Sequence, residues 1–74
     1  MRFIRVYDKG GLIKEVPYEK WYPFEGLADL PDSAYIELPI ESPIQTRWYR
    51  SDFTPVLLAD VPKEYLAISL ILGN

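Results

Sequence analysis

Residues 34–50 read AYIELPIESPIQTRWYR, and their alternation decides how the chain is organised. Ile36, Leu38 and Ile40 fall on one side of an extended strand, with Tyr35, Glu37, Pro39 and Glu41 on the other. That period of two predicts a half-buried strand with a wet outer face. Ile44, Thr46 and Trp48 then alternate with Gln45, Arg47 and Tyr49. An odd-length loop at Ser42-Pro43-Ile44 sets Leu38 opposite Trp48 and Ile40 opposite Thr46, which keeps the apolar sides together. An even-length loop brings Arg47 beside Leu38 on the core side, a slip that period-two geometry makes costly. The expected hairpin therefore shows Glu37, Glu41, Arg47 and Tyr49 on its exposed face. Pro39 has no N–H to give a ladder, which predicts a sheet edge or an unpaired N–H side there.

Upstream, Arg2 to Tyr7 is β-branched and aromatic, and Asp8-Lys9-Gly10-Gly11 ends it before Leu12 to Val16. This is the pattern of a β-hairpin. A three-residue loop, Lys9 to Gly11, puts Arg5 opposite Glu15 and Ile4 opposite Val16. A two-residue loop at Lys9-Gly10 sets Arg5 against Lys14, a like-charge pair, so the first register is expected. From Tyr18 to Ser33 the spacing loosens. Tyr18, Trp21, Tyr22, Phe24, Leu27 and Leu30 are punctuated by Pro23, Gly26 and Pro31. The segment reads as an irregular aromatic-rich crossing over one face of the sheet, with a single helical turn near Glu25 to Leu30 as the alternative. Loops of this length are often functional.

Downstream, Phe53 to Ala59 holds a short extended piece. Asp60 or Val61 then stands at a helix cap, Pro62 lies in the first turn, and Glu64 sits near the positive dipole end. Tyr65 to Leu72 is the expected helix and Gly73 its stop. The rival is a buried strand with Leu66, Ile68, Leu70 and Leu72 on one side; Pro62 and Gly73 as bookends favour the helix. The fold class expected is α+β. Two β-hairpins form a small antiparallel sheet, an irregular segment crosses it, and one C-terminal helix covers a face. Residues 1–74 are read as a single small domain.

Composition removes much chemistry. With neither Cys nor His, the chain builds no disulfide, no usual zinc set and no Ser–His or Cys–His pair. No Gly-rich phosphate loop occurs. Glu37 and Glu41, the only carboxylates sharing a predicted strand face, stand roughly 13 Å apart, too far to cooperate in acid–base work. No catalytic residue, metal or cofactor is expected, so the chain reads as non-enzymatic. No signal peptide is expected, and the longest apolar run, Tyr65 to Leu72, is too short to span a bilayer, so a cytoplasmic, membrane-free protein is the default.

One feature points to a partner. Between Lys20 and Arg47 the chain runs twenty-six residues without a Lys or Arg, while Glu25, Asp29, Asp32, Glu37 and Glu41 all fall there. Clustered like charge repels itself and suits a basic surface on another protein. These five carboxylates, with the neighbouring Trp21 and Tyr22, form the candidate partner-binding surface. The function expected first is a small acidic docking module, of the kind viral or bacterial accessory proteins use to inhibit a larger nucleic-acid-handling protein. The second is a structural or assembly protein, a homo-oligomer or particle component held by its apolar C-terminal segment and a sheet edge. Direct nucleic-acid binding by Arg47-Trp48-Tyr49-Arg50 is disfavoured, because strand neighbours point to opposite faces and the net charge is −3.

Overall fold

The computed structural model describes residues 2–18, 26–39 and 47–73. Strands β1 (Phe3–Asp8), β2 (Gly11–Pro17), β3 (Tyr35–Glu37) and β4 (Trp48–Arg50) form one antiparallel sheet in the order β2-β1-β3-β4. A 3-10 turn at Leu58–Asp60 leads to the helix α1 (Lys63–Leu72). This is the small α+β arrangement expected from the sequence.

In the first hairpin Arg5 faces Glu15 and Ile4 faces Val16, as charge matching requires. The loop, however, is Lys9-Gly10 and not Lys9 to Gly11. Asp8 pairs with Gly11, and Lys9 and Gly10 both have positive φ, 54° and 82°, the requirement of a tight two-residue hairpin turn. A register shift between Val6 and Tyr7 reconciles the two: β2 spends one extra residue as a bulge and restores the Arg5–Glu15 pairing. The Arg5 Nε then donates to Glu15 Oε2 at 2.7 Å.

The second pairing departs from expectation. Glu37 faces Trp48, Ile36 faces Tyr49 and Tyr35 faces Arg50, so β4 is slipped by one residue. The Leu38 N–H donates to the Arg47 carbonyl at 2.7 Å, the alignment rejected on the assumption of a wet outer face. At β3 no such face exists, because both sides of that strand are covered. On one side Ile4, Val6, Val16, Ile36 and Leu38 pack with Leu27 and Ala34. On the other, Tyr7 and Trp48 pack with Val56, Val61 and Tyr65. When both faces are apolar, alternation loses its power to choose a register. Pro39 marks no edge either. Strand β3 lies between β1 and β4 and stops two residues before that proline, whose ring is fully buried. Ile40, Glu41 and the Ser42-Pro43-Ile44 loop lie outside the described residues.

The described part of the crossing segment, residues 26–33, is an irregular cover. Residues 26–30 make turns and no helical turn. Leu27 and Ala34 are buried against Ile4 and Val6, with Leu30 packed beside them. Beyond β4 the chain doubles back: the Val56 N–H donates to the Trp48 carbonyl at 3.0 Å, and Tyr49 bridges Pro55. The C-terminal segment is a helix. Gly73, at φ 72°, donates its N–H to the Ser69 and Leu70 carbonyls, the stop expected of a left-handed residue. Pro62 itself occupies the N-cap, one position earlier than the first-turn placement.

Gly26 lets the crossing segment approach β2. At its φ of +82° a Cβ would stand 2.9 Å from Val16 Cγ1. We expect Gly26→Ala to cost about 1–3 kcal/mol through left-handed strain and overpacking. A Cβ at Gly11 meets nothing within 4 Å. Gly11→Ala is the control, and urea midpoints followed by Trp fluorescence compare the two.

Candidate functional site

One member of the predicted acidic surface is turned inward. Glu37 is fully buried, which corrects the outward placement made from alternation. The cover over its side of β3 is the reason: α1 lies there, and the slipped register brings Trp48 to the same side. Asp29 and Asp32 are exposed in the loop before β3. Glu25, Glu41, Trp21 and Tyr22 lie outside the described residues.

Around Glu37 three elements each contribute a donor. The Tyr7 hydroxyl, from β1, donates to Oε1 at 2.6 Å. Arg47, just before β4, donates through Nη2 to Oε2 at 2.8 Å. Ser69, from α1, donates its hydroxyl to the same Oε2. A buried carboxylate needs compensation of this kind, since an uncompensated charge in a low-dielectric interior costs several kcal/mol. The Glu37–Arg47 pair expected on a wet face therefore exists inside the molecule, where it is stronger and less screened. Carboxylate oxygens sealed behind three protein donors offer no proton to an outside substrate; their work is to fix β1, β4 and α1 relative to β3.

Aromatic rings wall this cluster. The Tyr7 ring lies 5.4 Å from Trp48 and 5.5 Å from Tyr65, and Tyr35 lies 5.8 Å from Tyr65. The Tyr65 hydroxyl accepts the Gly10 N–H at 3.2 Å, which ties the helix start to the hairpin turn. Burial first, then the hydrogen bond to Glu37 and its negative charge, raises the Tyr7 pKa above its ordinary 10.0. At the far end of β1, buried Asp8 accepts a hydrogen bond from Ser33 Oγ at 2.8 Å.

Sequence reasoning missed the sidedness of α1. Tyr65 and Ser69, four residues apart, are its buried positions, while Leu70 and Ile71 are 83% and 84% exposed. The helix thus turns Tyr65 and Ser69 inward, with Leu66 and Ile68 packed partly against the core, and leaves Leu70 and Ile71 outward. Ser69, the one serine inside an otherwise greasy run, was the available signal; paired with Tyr65 it marks a stripe seeking a polar partner. Among the described residues no group of three acidic ligands could hold a metal, and no helix is long and apolar enough to cross a membrane. Compared with known proteins, the chain matches no family model, no curated protein and no solved structure.

Two outcomes test the cluster. Glu37→Ala strips Arg47 of its carboxylate and two hydroxyls of their acceptor, so we expect a loss of about 3–5 kcal/mol, with Glu37→Gln milder. Chemical denaturation measures both. Because folding raises the Tyr7 pKa, its contribution is complete below the ordinary 10.0 and is lost as pH climbs through the higher folded value. Stability should therefore fall above about pH 10, and Tyr7→Phe should flatten that fall in alkaline unfolding curves.

Proposed function

We propose that this chain is a non-enzymatic structural or assembly protein that associates with further copies of itself through the outward face of α1. The observation that carries this reading is the outward side of α1, where Leu70 and Ile71 stay exposed while Tyr65, Ser69, Leu66 and Ile68 face the core. Exposed aliphatics grouped on one helix face, with further exposed Leu57 and Leu58 in the segment leading to it, are the usual mark of a contact surface. The sheet edge is less suited. Strand β2 carries a bulge and exposed Lys14 and Glu15, features that discourage edge pairing, and residues 54–56 lie along β4. Docking of acidic residues on a basic protein keeps Asp29 and Asp32 outside but loses Glu37, and exposed Lys9, Lys14, Arg50 and Lys63 give the surface mixed sign.

Sedimentation over a concentration series tests the reading. The wild-type chain should move from its 8.6 kDa mass toward a multiple of it at micromolar concentration, with little dependence on salt. Leu70→Glu with Ile71→Glu should abolish association while leaving the circular dichroism of the fold unchanged, because both side chains are exposed. A chain that stays monomeric into high micromolar concentration, or a double variant that associates equally well, overturns it.

A further inference from the structure

Resting on that assembly reading, we propose a specific geometry. Helix α1 pairs with α1 of a second copy, antiparallel about a twofold axis at Ala67, with Lys63 seated over the second copy's last helical turn. Lys63, Ala67, Leu70 and Ile71 occupy positions i, i+4, i+7 and i+8, all exposed, so they share the side of α1 opposite Tyr65 and Ser69. Ala67 at the middle of this stripe is small enough to let two helix backbones come close.

Charge decides the direction. A helix carries partial positive charge at its N-terminus and partial negative charge at its C-terminus. Lys63 is the first residue of α1, where a cation has the wrong sign for its own helix. The last turn holds no basic residue, so the carbonyls at the negative end have no cation of their own helix beside them. Glu64, the neighbouring charge, does not cancel this arrangement: its Oε2 lies 4.0 Å from where a Gly10 Cβ would be, against the hairpin turn. A second copy laid antiparallel corrects both mismatches at once. Each ammonium meets the other helix's negative end, and each lysine's methylene stem covers the facing Leu70 and Ile71. Leu57 and Leu58 precede the N-terminal end of α1, so the same arrangement brings them to the end where the second copy exposes Leu72. A parallel pair would instead set Lys63 beside Lys63 and leave both C-termini without a cation.

Lys63→Glu separates this geometry from the broader reading. Each dimer contains two such contacts, so reversal should weaken association roughly tenfold. The isolated chain should melt no lower than wild type, since a carboxylate is the right sign at a helix start. Lys63→Arg should keep the affinity. Unchanged or tighter association in Lys63→Glu overturns the antiparallel seat, while the assembly reading stands if Leu70→Glu with Ile71→Glu still abolishes it. Association that survives the double variant removes both. Because the chain has no Cys, engineered thiols give a second readout. An oxidised mixture of Lys63→Cys and Ile71→Cys chains, positions that a twofold at Ala67 brings together, should yield chiefly the mixed disulfide; chiefly like-with-like disulfides overturn the proposal.

Discussion

Burying one carboxylate in so small a fold constrains everything around it. Glu37 sits on an interior strand and is shielded from bulk solvent, so its charge depends on donors from the neighbouring elements. Tyr7 fixes β1 in rotation, Arg47 fixes the approach to β4, and Ser69 fixes the roll of α1 about its own axis. A core of aliphatic contacts alone would tolerate sliding, because dispersion is short-ranged but not directional. Hydrogen bonds to one carboxylate do not. An ion pair of this kind contributes little net stability relative to apolar residues of the same volume, and its service here is to select one packing among several.

The same requirement accounts for the slipped strand. With Glu37 facing Trp48, the indole and the carboxylate share the helix side, and Tyr49 joins Ile36 on the other. Shifting β4 to match Leu38 with Trp48 would return Trp48 to the side of Ile36 and remove the ring that packs against Tyr7. The register is thus set by a polar residue that needs the interior, and not by an apolar one that avoids water.

This explains what was legible in the residues and what was not. Local signals worked where a single rule governed. Charge matching located Arg5 against Glu15, Gly73 located the helix stop, and the described part of the punctuated stretch, residues 26–33, is an irregular cover that buries Leu27 against Ile4 and Val6. The reading failed where two layers compete for one strand. Tyr35 to Pro39 alternates as though one side met water, yet Glu37 and Pro39 on the expected wet side are both buried. A helix lying over that side is a tertiary fact that no window of alternation contains. Asp29 and Asp32 are exposed in the loop before β3; the outward turn of Leu70 and Ile71 was not legible, since apolar content argues for burial unless a polar stripe claims the inner face first.

That claim has a thermodynamic consequence. Successive helix residues advance by about 100°, so burying Leu70 and Ile71 means rolling α1 by roughly half a turn about its axis. Such a roll withdraws Ser69 from Glu37 and Tyr65 from the Gly10 N–H and from the Tyr7 ring. Gaining two aliphatic side chains of burial, about 1.5–3 kcal/mol each, would leave a buried carboxylate short of a donor and open the aromatic wall. The chain cannot satisfy both faces of α1 by itself. The apolar side is held outward by the polar side, so Leu70 and Ile71 stay exposed in the single chain, and internal rearrangement offers them no cover without a loss at Glu37.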